Sequence, residues 1–245
     1  PELTEVNRLP ARPPLTPYPD VDSARDGVGT PWRRSLDGAW RFRLVESPSA
    51  APARWMHPTT SDERWRTIDV PGCWTHQDTG DLPHYTNIVM PWPDTDAPYS
   101  PPENPTGLHR TTFSVPRVWR NRDVIVHLGG AESVAVVWCN GTFVGMGKDS
   151  RLPSEFDLTP HLVSGTNLLA VMVIRYSDAT WIEDQDHWWH AGLHRSVHLE
   201  ARGRTRIDDL HVGADFDPVT GTGRLSVRAH LHGSTGEESI RSWLE

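Results

Sequence analysis

Lysine is almost missing from this 245-residue chain: of its 24 basic residues, all but Lys148 are arginine, a bias that says more about a GC-rich genome than about function. Cysteine is scarce too. Cys73 and Cys139 lie far apart, without Cys-x-x-Cys spacing, so a structural disulfide is not expected, and Cys139 falls in an apolar strand pattern where a buried thiol is common. No apolar run approaches the length of a membrane span, and no apolar N-terminal region of signal-peptide type is present. The visible part of the chain, which opens at Pro1, therefore reads as soluble, with the cytoplasm as the default compartment. A formal net charge of -8 with scattered basic residues excludes a nucleic-acid partner. Helical periodicity, internal repeats, low-complexity segments, a Gly-rich phosphate loop and a Ser/His/Asp arrangement are also lacking.

What the chain has in excess is tryptophan, 12 residues, and proline, 22. Tryptophan's flat faces suit both cores and sugar rings, and composition does not separate the two uses. Seven prolines fall within residues 1–34. Since proline fixes φ and removes a donor, this segment is expected to be an extended arm docked on other surfaces. From Ser35 onward short strands and turns alternate. Ala39 to Leu44 places Trp40, Phe42 and Leu44 on one face, and Arg110 to Val115 resumes strand character after a long proline- and aromatic-rich loop from His84 to Pro105. Val124 to Leu128 and Val134 to Cys139 are β-branched runs, and Asn140-Gly141 supplies the two positive-φ residues of a type I′ hairpin before Thr142 to Met146 returns. Asn167 to Tyr176 and Arg195 to Ala201 are further strands. The pattern predicts an all-β fold, a jelly-roll β-sandwich over residues 35–203. Residues 204–245, with strands at Arg206 to Ala214 and Arg224 to Leu231, a turn at Asp217 to Gly221 and a third run from Ser239, are expected to be the truncated start of an immunoglobulin-like sandwich, which needs roughly 100 residues.

Several motifs carry both a plain and a functional reading. Asn104, in Glu103-Asn104-Pro105-Thr106-Gly107, belongs to ordinary turn chemistry, or its amide is presented to a sugar hydroxyl. Asp178, where the Asn167 strand emerges, is a strand stop or N-cap, or a carboxylate free to accept hydroxyl hydrogen bonds or to ligate a hard cation. In Glu183 to His194, His190 and His194 have i, i+4 spacing, but Gly192 between them and the strand context oppose a zinc site. A glycosidase needs two carboxyl groups about 5 Å apart in the retaining case. The acid pairs Glu183 with Asp186, Asp208 with Asp209 and Glu237 with Glu238 have no catalytic context.

Seven segments in order, Asn7-Arg8-Leu9-Pro10, Ser35-Leu36-Asp37-Gly38, Tyr85-Thr86-Asn87, Glu103 to Gly107, Trp138-Cys139-Asn140-Gly141, Asp149-Ser150-Arg151-Leu152-Pro153-Ser154-Glu155-Phe156-Asp157-Leu158 and Glu183-Asp184-Gln185-Asp186, resemble the N-terminal third of the large lacZ-type β-galactosidases of glycoside hydrolase family 2. The resemblance implies a jelly-roll sugar-binding domain, an immunoglobulin-like domain and then a barrel with both catalytic glutamates downstream, so that no catalytic residue lies in this chain. It implies that Asn104 and Asp178 contact the galactosyl group of a β-galactoside and that Asp178 ligates sodium in the full-length enzyme, which also uses magnesium, while this segment alone holds no ion tightly. It further implies a homo-oligomer with the arm at a subunit contact. The Asp186-His187-Trp188-Trp189-His190-Ala191-Gly192 stretch departs from the family, which more often has methionine after Asp and serine before Gly. The competing expectation is a free-standing carbohydrate-binding module without hydrolytic activity.

Overall fold

The structure, a computed structural model, describes residues 3–87, 89–237 and 239–240. Two antiparallel sheets face each other. The larger runs in the order β1 (Glu5–Val6), β10 (Thr142–Lys148), β9 (Val134–Cys139), β12 (Thr166–Ile174), β7 (Thr106–Ser114), β3 (Gly38–Val45) and β4 (Arg66–Val70). The smaller runs β11 (Ser154–Asp157), β8 (Asp123–Leu128), β15 (Val197–Arg202) and β2 (Arg33–Ser35). Two short pairs, β5 (Gly72–Cys73) with β14 (Gly192–Leu193) and β6 (His84–Tyr85) with β13 (Trp188–Trp189), lace the loops together. β16 (Arg206–Asp217) and β17 (Thr222–His232) form a separate hairpin. The expected all-β sandwich is what these elements build.

Alternation explains the core. Trp40 and Phe42 of β3, Leu169, Val171 and Val173 of β12, Val124, Val126 and Leu128 of β8 and Val197, Leu199 and Ala201 of β15 fill the space between the sheets. β12 is apolar on both faces because its other side is covered too, Ala170 and Met172 packing with Leu108 and Trp55 from the segment before β4. Where β7 passes beneath Phe42 and Trp74, position 107 must be glycine: a Cβ there would lie 2.6 Å from the Trp74 ring. The Asn140-Gly141 turn has both residues at positive φ, 54° and 84°, the geometry the sequence predicts.

Several boundaries differ. β7 begins at Thr106, four residues before the predicted Arg110, because it pairs along the full length of β12. β12 ends at Ile174, short of Tyr176, whose backbone bonds to a side chain instead of a strand. The arm is not wholly extended: Val21–Asp26 forms a short helix α1, capped by the Asp20 side chain and by Gly27 at φ 63°, caps that override the surrounding prolines. β16 runs three residues beyond Ala214. The predicted third run is absent at Ser239 and Ile240, which lie outside any strand, and its continuation over 241–245 lies outside the described residues, as does Glu238.

The outer face of the smaller sheet is buried as well. It carries His127, Glu155, His198, Glu200 and Arg202, and the arm lies over it: Leu9 N–H donates to the Glu155 carbonyl at 2.9 Å and Arg12 reaches Glu155 and Glu200, each at 3.2 Å. Arg202 meets Glu155 at 2.6 Å and Glu200 at 2.9 Å. Burial pushes both carboxyls up, but these cations and the two histidines hold them well below the usual carboxylate range.

Candidate functional site

Antiparallel register decides which loops meet. Ile174 pairs with both Thr106 and Val134, and Val134 with Lys148, so the C-terminal end of β12 faces the entry to β7, the entry to β9 and the exit of β10. Asn104, Glu132, Lys148 to Arg151 and Arg175 to Asp178 therefore gather at one end of the sandwich, and residues 89–105 and 179–194 close over it.

Asn104 is buried, and its side chain is committed to the protein. Its Nδ2 donates to the Tyr176 carbonyl and its Oδ1 accepts from the Tyr176 N–H, both at 2.9 Å. It thus continues the β-ladder past the end of β12, and presentation of its amide to a sugar would compete with these two bonds. The clamp does bring the two predicted residues together, since Asp178 follows Tyr176 by two positions. Asp178 is likewise not a free carboxylate: the Lys148 ammonium donates to its Oδ1 at 2.6 Å. Partial burial pushes the Asp178 carboxyl up, and the hydrogen bond and charge of Lys148 bring it below its ordinary value.

Around this pair lies a polar shell. Glu183, on the four-residue helix α2 (Thr180–Glu183), accepts from the Ser150 N–H at 2.9 Å and its hydroxyl at 2.6 Å. Arg151 pairs with Glu132 at 3.3 Å and with the His187 ring at 2.8 Å. Burial raises the Glu132 carboxyl above its usual value, with Arg151 and His187 opposing and Glu183 adding to the rise. Glu132 carried no sequence signal. Beneath the shell, Trp92, Tyr176 and Trp189 form an aromatic cluster with Trp181 and Met90, so most of these rings are spent on packing the loops. Trp188 is the exception, 56% exposed beside Tyr85.

The histidines of the 183–194 segment do not converge. His190 Nδ1 is 3.0 Å from His76 Nε2, while the His194 ring packs on Gly130, its pKa lowered to about 4 by burial and by Arg195 and Arg151. Among the described residues no group of three or more His, Cys, Asp or Glu side chains is arranged to hold a metal ion. Two of the acid pairs set aside in the sequence are separately engaged: Glu183 by Ser150, Asp186 by the Tyr85 hydroxyl, Asp208 by Arg206 at 2.8 Å and Asp209 by the Leu210 N–H at 2.8 Å.

The comparisons with known proteins meet this geometry directly. Residues 33–202 match the sugar binding domain of glycosyl hydrolases family 2. The chain belongs to this family. Beta-galactosidases from Photobacterium profundum and Vibrio vulnificus are 38% and 40% identical to it over 231 and 228 residues, 94% and 93% of this chain. In each case the chain spans 22% of the relative's length. Among solved structures, a beta-glucuronidase from an uncultured Clostridium superposes with TM-score 0.62 at 20% identity, over 83% of this chain and 35% of that one, and a Bifidobacterium dentium beta-glucuronidase with 0.61 at 20%, over 84% and 37%. These structures bear on the fold. The family match begins at Arg33, where β2 starts, and ends at Arg202, where β15 ends, so the arm over residues 3–32 and the β16–β17 hairpin lie on either side of it.

Proposed function

We propose that this chain is the N-terminal sugar-binding and scaffold part of a β-galactosidase that hydrolyses terminal β-D-galactosides with retention, its two catalytic glutamates lying in a barrel domain downstream. One observation carries the reading: close to two-fifths of the residues are identical to beta-galactosidases over 94% of the chain. The crossing of successive strands between the two sheets is read as jelly-roll topology, with residues 1–34 as arm, 35–203 as sugar-binding domain and 204–245 as the start of an immunoglobulin-like domain. Asn104 and Asp178 are the proposed substrate-site residues, Asp178 contacting the galactosyl group through the carboxylate oxygen that Lys148 leaves open and Asn104 positioning it by clamping the backbone of Tyr176. A cytoplasmic, homo-oligomeric parent with magnesium bound outside this segment completes the proposal.

Among the described residues no helix is long and apolar enough to cross a membrane, and the conversion of a whole loop cluster into a packed wall at one sandwich end suits a surface that completes another domain's site. The test is hydrolysis by the full-length protein carrying this chain. Aryl β-galactosides are expected to be cleaved and aryl β-glucuronides not; the reverse preference would overturn the substrate. The 245-residue chain alone is expected to cleave neither and to bind galactose too weakly for calorimetry, whereas micromolar affinity would favour a free-standing module.

A further inference from the structure

Lys148, the one lysine of the chain, is spent on Asp178. Its backbone is fixed twice, by pairing with Val134 in the sheet and by donating its N–H to the Thr4 carbonyl at 3.0 Å. The side chain is 8% exposed, and its ammonium ends 2.6 Å from Asp178 Oδ1, just below the roughly 2.7–2.9 Å usual for an ammonium–carboxylate bond. Arginine serves as the cation at every other position of the chain. A compact ammonium delivers a full charge to a single oxygen, which the broad guanidinium fork does not.

A sodium ion at Asp178, as the resemblance to the family implies, would need several oxygen ligands and a carboxylate whose charge is not already balanced. The residues here do not fit it. The Asn104 oxygen is taken by the Tyr176 N–H, and the Ser177 hydroxyl oxygen accepts from the Ala179 N–H and bonds to the Ser133 hydroxyl at 2.7 Å. The Asp178 charge is met by Lys148, and any ion reaching Oδ2 would stand against a full positive charge a few ångströms away.

We propose that Lys148 is a built-in cation that holds Asp178 in place of a soluble monovalent ion, so that this site works without sodium. Lys148 is then a positioning residue, fixing one carboxylate oxygen so that the other faces the sugar. The proposal rests on the reading of Asp178 as a galactosyl-contacting group given above, and its test separates the two.

Labelling the 245-residue chain with nitrogen-15 lysine gives a single side-chain ammonium signal. That signal is expected to keep its position when sodium chloride replaces choline chloride at equal ionic strength, and to move to that of a free lysine in Asp178→Asn. A saturable, sodium-specific displacement in the unsubstituted chain, which needs no variant to fold, would overturn the proposal. So would an Asp178→Asn signal identical to the original. In the full-length protein, kcat/KM on an aryl β-galactoside should agree within about twofold between the two salts, while Lys148→Gln should lose about tenfold or more in choline and regain it in sodium. A sodium-dependent original, or a Lys148→Gln protein undiminished in choline, overturns the inference. Failure to cleave any galactoside overturns the proposed substrate and leaves the ammonium signal as the deciding measurement.

Discussion

The sandwich buries charge, and the hairpin after it exposes apolar surface. Glu155, Glu200 and Arg202 are among the buried residues of the sandwich, at 8%, 5% and 4% exposure, whereas Val212, Phe216 and Val227 of the hairpin stand 54%, 63% and 52% exposed. Both regions are strands with alternating side chains, so the difference does not come from local pattern. Alternation says which residues share a face, and what lies across that face decides their burial. On the smaller sheet the proline-rich arm lies across the polar face and turns it into an ion network. On the hairpin the apolar face beyond Leu210 is left open, with Val212, Phe216, Leu225 and Val227 all exposed.

The strongest way to break this comparison is to remove a cation from the network. Arg202→Met should leave Glu155 and Glu200 with Arg12 and two imidazoles for partners in a dry setting, at a cost of about 3–5 kcal/mol. Urea denaturation at neutral pH measures it. A loss under about 1 kcal/mol would mean that the arm lifts and lets water reach the carboxylates.

Acid should act through the same region and through the core. Glu155 and Glu200 have folded values below the unfolded ones, so their contribution is present above roughly pH 4.5 and is lost as pH falls toward the folded values. His109 enters earlier. Burial lowers it to about 4, so below its ordinary value near 6.5 the unfolded chain binds a proton that the folded one refuses. Stability should therefore fall between pH 7 and 5, by about 2 kcal/mol from His109 alone. In His109→Phe the difference between those two pH values should shrink by that amount; an unchanged slope would place the titration elsewhere.

How much of this was legible follows from the physics of each element. The Asn140-Gly141 turn needs two positive-φ residues in sequence and can be read from two letters. The Val134 to Cys139 strand carries its own β-branched signal. β12 ended early because Asn104, seventy-two positions away, takes over the Tyr176 backbone, and no window along the chain contains both. The α1 caps at Asp20 and Gly27 were present in the sequence but masked by the prolines around them. Asp178 stands out in the sequence by its place at a strand exit, whereas its partner Lys148 stands out only as the single lysine, because the register that joins them is set by a third strand, β9. The tryptophan excess resolves mainly in favour of the core: Trp40, Trp55, Trp74 and Trp119 are each under 2% exposed or close to it.

A smaller effect tests the clamp at the site. Asn104→Ala should leave the Tyr176 N–H and carbonyl without partners in a buried position, costing about 1–3 kcal/mol, and the loosened Asp178 should lower kcat/KM of the full-length protein. Asn104→Asp, which keeps the acceptor for the N–H but sets a carboxylate oxygen against the carbonyl, should not rescue it. Rescue by Asp would show that only the N–H bond matters.

The smallest effect on stability belongs to the hairpin, and there it is the contrast that informs. Val212 pairs with Val227 and Ala214 with Leu225, and Leu210 and Phe216 continue the same face, so one side of the ribbon is apolar from end to end. A two-stranded ribbon of this kind is marginal on its own, held at its base by Arg206, which pairs with Asp123 of β8 at 2.7 Å. Removing a ring that touches mostly solvent forfeits little burial, so Phe216→Ser should change the unfolding free energy of the 245-residue chain by no more than about 0.5 kcal/mol. The same change should weaken concentration-dependent self-association in sedimentation equilibrium, because an uncovered apolar strand face in water is an adhesive surface. A double substitution, Phe216→Ser with Val227→Lys, should abolish association while leaving the sandwich transition in place. If Phe216→Ser instead costs about 2 kcal/mol or more, its ring is covered within the chain in solution, and the contrast between a closed sandwich and an open hairpin does not hold.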